Sequence, residues 1–204
     1  MIDTLPHLKQ LIRQLQQVPY LASKNLYKVT EYFLQLDTER TDQFIAALIK
    51  AKQQLVQCGL CWAWQEKNSA CGICSDSRRD ITKICVVETW QDFLALDKTG
   101  GYQGLYHILG GAISPLDGLS PEDLTIDSLL ERIENQKYTE VILALNQTPE
   151  GEATAAFIAR KLQRVRGGSA LVVSCLARGV PVGSVLESMD RITVYKAIAE
   201  RRPF

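Results

Sequence analysis

Apolar residues follow two different rhythms along the chain. Over residues 1–57 they recur at helical spacing: Leu5, Leu8, Leu11, Ile12 and Leu15, then Leu26, Val29, Tyr32, Phe33 and Leu36. Each set forms one stripe of a 3.6-residue repeat. A third stripe, Phe44, Ile45, Leu48, Ile49, Leu55 and Val56, predicts a helix over 42–57. Pro19 breaks the chain between the first two helices, and Ser23 is placed to cap the second. Three helices this short leave apolar faces that need cover from another subunit or from the rest of the chain.

Beyond residue 80 the pattern changes to short, mostly apolar runs. They lie at 84–87, 106–109, 140–145 and 170–174, separated by stretches with helical spacing around Trp90–Leu96, Leu129–Ile133 and residues 153–164. Strands that are apolar on both faces and alternate with helices form a mostly parallel sheet covered on both sides, an α/β architecture. In such sheets the residues just past the strand carboxyl ends line the functional crevice. Here they are Glu88, Gly110-Gly111, and Asn146 through Glu152.

Between the two regimes stand Cys58-Gly-Leu-Cys61 and Cys71-Gly-Ile-Cys74. Two such pairs close a tetrahedral four-sulfur site with no open position, which suits structural Zn²⁺ rather than catalysis. A disulfide reading is weaker in a reducing compartment, and a redox Cys-x-x-Cys motif normally occurs once, beside a strand–helix unit. Gly59 and Gly72 supply backbone freedom for the knuckles. Lys67, Arg78, Arg79 and Lys83 stand nearby to offset the −2 charge of four thiolates and one Zn²⁺. Trp62 and Trp64 fit covering of the knuckle better than stacking on nucleic acid. Cys85 and Cys175, within apolar runs, read as small buried hydrophobes.

Composition removes whole classes of function. With 46% hydrophobic and 23% charged residues the chain is neither disordered nor fibrous, and no apolar run nears the ~20 residues a membrane helix requires. The expected location is cytoplasmic. Formal net charge is zero, from 23 basic and 23 acidic residues. It is unevenly spread: residues 82–150 hold 4 basic and 11 acidic side chains, and residues 151–204 hold 9 and 4. One acidic face and one or more basic faces fit such segregation.

Taken together, the order of the four-cysteine knuckle, Val86-Val-Glu88, Ser114-Pro-Leu-Asp-Gly118, Pro121-Glu-Asp-Leu124, Glu150-Gly-Glu-Ala-Thr-Ala155 and the segment 177–183 resembles the RecR family of bacterial recombination mediators along essentially the whole chain. The resemblance implies a helix-hairpin-helix-like region at 1–57, a C4 zinc finger at 58–74, a Toprim domain at 82–176, and a C-terminal Walker-B-like, oligomerisation segment at 177–204. It further implies binding to single-stranded and gapped duplex DNA, RecO-like and RecF-like partner proteins, and a homo-oligomer, a dimer or a tetrameric ring. The acidic face carrying Glu88, Glu150 and Glu152 would dock a basic partner; for Glu150 and Glu152, simple helix N-terminal acids are the plainer reading.

The residues also depart from the family pattern. Toprim enzymes hold Mg²⁺ with a glutamate and an Asp-x-Asp pair, and here the pair is Asn146 and Thr148, which supply no anionic oxygen. A Mg²⁺-dependent nuclease or primase-like enzyme is therefore the alternative rather than the main reading. The hairpin glycines are replaced at Tyr20 and Ala22, where side chains hinder close backbone contact and strain a left-handed turn. Lys24 and Lys28, four apart on one helix face, remain for phosphate contact, or form a plain solvated face. Val185 replaces the Walker-B-like aspartate, and no Walker A loop exists in the chain. Ile192, Val194, Ala197 and Ile198 form an apolar face suited to a subunit interface or to the core of one subunit.

Overall fold

A computed structural model describes residues 4–165, 171–177 and 179–201. Ala170, at the head of the fourth apolar run, and Arg178 lie outside the described residues. The chain divides into two compact units, Met1–Leu55 and Val56–Phe204.

The first unit contains three helices: α1 (Pro6–Gln16), α2 (Ser23–Gln35) and α3 (Thr38–Gln54). Pro6 opens α1, where its missing N–H costs nothing. Asp37 caps α3 by accepting the Arg40 N–H at 2.8 Å. For α2 the cap residue is Ala22, not Ser23, and no side chain caps it; Ser23 is already helical. Among the described residues only Ile12, Leu26 and Thr30 are buried here, and α3 buries no side chain. Phe33 and Phe44 meet at 5.3 Å between ring centroids, beside an apolar groove of about 630 Å³ lined by Leu11, Leu15, Val29, Phe33, Phe44 and Leu48.

The predicted helix over 42–57 stops at Gln54, because Leu55–Gln57 is strand β1 and pairs with β2 (Trp64–Glu66). This two-stranded ladder frames the cysteine knuckle. The main sheet follows the order β4 (Gly104–Ile108), β3 (Asp80–Val87), β5 (Glu140–Leu143), β6 (Val172–Cys175), with every pair parallel. The crossovers are α4 (Trp90–Asp97), α5 (Ile126–Asn135) and α6 (Pro149–Val165); α7 (Arg191–Ala199) follows the sheet.

The two-residue period of the strands sorts the core into two layers. Ile84, Val86, Leu105, Val141 and Leu143 join Leu129, Ile133, Ile158 and Leu162 of α5 and α6. Cys85, Val87, Tyr106 and Ile108 point the other way and meet Phe93 of α4 together with Cys58, Cys61, Ala63, Cys71 and Ile73. The knuckle is therefore the wall that covers one face of the sheet. Cys85 is buried as expected, but Cys175 is exposed. It sits on edge strand β6, whose Val172 and Val173 are also exposed. The α7 face is likewise open: Ile192, Tyr195 and Ile198 are exposed and no α7 side chain is buried, so it is not core within one subunit.

Candidate metal centre and Toprim crevice

The Sγ atoms of Cys58, Cys61, Cys71 and Cys74 lie within 4.8 Å of one another, with the first three residues buried. Cys61 and Cys71 Sγ are 3.5 Å apart. A tetrahedral Zn²⁺ with Zn–S of about 2.3 Å needs sulfur separations of about 3.8 Å, so four thiolates in this arrangement fit such an ion. The knuckle is tied by Cys58 N–H to Ala63 O and by Trp62 N–H to Cys58 O, both at 2.9 Å, while the Leu60 amide points at Cys58 Sγ at 3.4 Å. The left-handed residue of this turn is Trp62 (φ 63°), and neither Gly59 nor Gly72 has a positive φ. Trp62 packs against the knuckle core; Trp64 is half exposed.

The thiols hold their protons unevenly. A hydrogen bond from Cys61, helped by the Arg132 charge, pulls Cys74 down to about 6. The same bond and burial push Cys61 up, and burial raises Cys71.

The cation that faces the cluster was not among those expected. Arg78 pairs with Asp76 at 2.8 Å, Arg79 with Asp97 at 2.7 Å, and Lys83 with Glu140 at 3.9 Å; Lys67 is exposed. The compensating charge is Arg132 of α5, only 5% exposed. Its Nη2 lies 3.9 Å from Cys74 Sγ, and its Nη1 donates to Leu60 O (3.0 Å) and Tyr106 O (2.8 Å). One guanidinium thus joins the knuckle, β4 and α5. His107, fully buried, makes a parallel joint: Nδ1 is 3.2 Å from Leu60 O and Nε2 3.0 Å from Thr125 Oγ1. Burial draws its pKa down to about 4, so the ring is neutral at pH 7. The Ile108 amide completes the seam by donating to Cys61 O at 3.0 Å.

At the carboxyl ends of the strands, Glu88 follows β3 and α4 begins at once, with Thr89 and Asp92 forming a capping box. Glu88 is 7% exposed. Asn146, which follows β5, donates its backbone N–H to Glu88 Oε1 and its side-chain N–H to Oε2, both at 2.7 Å. Thr148 Oγ1 accepts the Gly151 N–H at 3.1 Å and so caps α6. Glu150, Gly151 and Glu152, just ahead of the helical stretch read at 153–164, form the first turn of α6. Glu150 is exposed, whereas Glu152 receives Lys196 Nζ of α7 at 2.6 Å. Gly151 is required at its position: a Cβ there would run into the Asn146 carbonyl and come within 2.7 Å of Glu88 Oε1.

In the first unit, Lys24 and Lys28 are both exposed on α2. Tyr20 adopts φ 65°, in the left-handed region.

A profile for the Toprim domain matches residues 82–177, and one described as RecR, C-terminal, matches residues 179–202. The recombination protein RecR of Tropheryma whipplei (strain Twist) is 43% identical over 194 residues, covering 95% of this chain and 96% of that protein. RecR of Staphylococcus aureus (strain MRSA252) is 40% identical with the same coverage. RecR of Porphyromonas gingivalis (strain ATCC 33277) is 39% identical over 97% of this chain and 93% of its own length.

This chain belongs to the RecR family.

These relatives are named recombination proteins, and the Toprim domain does not by itself make this chain an enzyme. In this RecR Toprim crevice Glu88, directly after β3, is held by the backbone and side-chain amides of Asn146. Among the described residues no helix is long and apolar enough to cross a membrane.

Proposed function

We propose that this chain is a non-enzymatic mediator of DNA recombination and repair that binds DNA and protein partners and carries structural Zn²⁺ at Cys58, Cys61, Cys71 and Cys74. The observation that carries the reading is the pairing of Glu88 with Asn146. Divalent-metal phosphoryl transfer draws on several hard anionic oxygens, and here the buried Glu88 carboxylate is held by neutral donors while Thr148 caps a helix. A crevice so wired serves as a scaffold. Glu88 supports the loop from within, and the exposed Glu150 with the half-buried Glu152 presents acid to a basic, RecO-like partner. RecF-like proteins, assembly as a dimer or tetrameric ring, and a nucleoid-associated cytoplasmic location belong to the same reading.

DNA contact is assigned to Lys24 and Lys28 as phosphate neutralisation. Their replacement by alanine should weaken binding to single-stranded DNA and lower the salt slope by about 1.4, two phosphate contacts' worth of counterion release. An unchanged affinity and slope would remove the lysines from the interface. Incubation of the protein with DNA and RNA in Mg²⁺ or Mn²⁺ tests the enzymatic alternative. Cleavage abolished by Glu88→Gln would replace the mediator reading.

A further inference from the structure

The link between α1 and α2 carries a side chain that the fold does not use. Tyr20 is 102% exposed relative to a free residue, and it has no hydrogen-bond, ring or ionic partner among the described residues. Its backbone is left-handed at φ 65°, a region that bulky L-residues avoid. An exposed apolar ring on an unfavourable backbone contributes nothing to folding, so its use lies in contact with something outside the chain.

The surroundings indicate what that is. From Val18 to Thr30 the sequence holds two basic residues, Lys24 and Lys28, and no acidic one. Both lysines are exposed, neither is in an ion pair among the described residues, and α2 has no acid in its first turn. Tyr27, one helical turn beyond Lys24, is also more than half exposed. Exposed aromatic rings set among unpaired cations match single-stranded nucleic acid, in which unpaired bases stack on the rings while phosphates meet the cations. A basic protein partner would be repelled by the same cations, and an acidic one gives no reason for the ring.

We infer that Tyr20 is a stacking platform for an unpaired base of single-stranded DNA, acting beside Lys24 and Lys28. The inference rests on the assignment of DNA binding to those lysines. It gives the linker a contact to the base, through an aromatic face, beside the phosphate contacts of the two lysines. Duplex DNA, with its bases already stacked, gains nothing from the ring, so the linker selects single strands.

The test uses the full chain and anisotropy with three probes of equal length: oligo(dT), an abasic strand and a blunt duplex. Tyr20→Ala should weaken oligo(dT) binding about 5-fold to 150-fold, the range of one lost base–aromatic stack, and leave the abasic and duplex affinities unchanged. Tyr20→Trp should retain oligo(dT) binding. Replacing both lysines should weaken all three probes together. Equal loss on oligo(dT) and abasic strands, or no loss on either, would overturn the stacking role. If the double-lysine variant binds every probe like wild type, the underlying DNA assignment fails instead. Tyr20→Gly, which suits a left-handed backbone, is the folding control: it should lose oligo(dT) binding like the alanine variant while its thermal midpoint does not fall.

Discussion

Asn146 satisfies both oxygens of the Glu88 carboxylate, one through its backbone and one through its side chain. The geometry is that of a filled site. Replacing Asn146 with aspartate would set an exposed carboxylate against the buried Glu88, and like charges so close cannot both ionise comfortably. Asn146→Asp should cost about 2–3 kcal/mol at neutral pH through loss of a hydrogen bond to a charged group and the added repulsion. Millimolar Mn²⁺ should restore part of that loss in the variant while leaving wild type unmoved. Thermal melts with and without the ion measure both effects.

Gly151 packs its bare Cα where the Asn146 carbonyl and Glu88 converge. Gly151→Ala should therefore destabilise by about 1–3 kcal/mol, as overpacking does, even though alanine is the better helix former. Gly59→Ala, at a position with open space around it, should change stability by no more than about 0.5 kcal/mol. Urea titration of the two variants separates a steric cost from a propensity effect.

Arg132 is the buried charge beside the thiolates, and it also holds two carbonyls, of Leu60 and Tyr106. Arg132→Met should lower metal affinity about 10-fold to 100-fold, the usual consequence of removing a group that supports metal ligands. Arg132→Lys should recover part of it by keeping the charge without the fork. Competition against a chromogenic chelator reads this directly, and it does not depend on DNA binding.

His107 gives a pH dependence with a definite sign. Its folded pKa is near 4 against an ordinary value of 6.5, so the unfolded chain takes up the proton first as pH falls. The stability linked to the neutral ring is fully present above pH 6.5 and is lost between 6.5 and 4, on the order of 3 kcal/mol in total. Glutamine does not titrate. The stability gap between wild type and His107→Gln should narrow by that amount from pH 7 to pH 4, in denaturant melts of metal-loaded protein.

What the sequence made legible follows from how local each signal is. The strands were readable because uninterrupted apolar runs such as Ile84-Cys-Val-Val87 are buried on both faces, and the cysteine spacing announced its own site. The end of α3 was not readable. Leu55 and Val56 continue a helical stripe, and only pairing with Trp64–Glu66 turns them into a strand. The role of Arg132 was hidden for a similar reason. It sits among Leu130, Glu131 and Ile133 on an amphipathic helix, while its partners are main-chain oxygens 72 and 26 positions away. Nor does composition betray that Glu88 and Asn146 meet, since they lie 58 positions apart and both are ordinary surface types. Cys175 misled because an apolar neighbourhood in sequence says nothing about which strand lies at the edge.

The knuckle walls one face of the sheet, and this bears on the order in which the molecule assembles. Its ligands lie within a single short loop, so closing it costs little chain entropy, whereas β3 must find a partner 57 positions later when Ile84 pairs with Val141. An ion captured early would present a finished surface on which the slow, long-range pairing could condense. Chains synthesised in metal-starved conditions would lack that template, and the delay before they reach the native state would lengthen along with any loss of final stability.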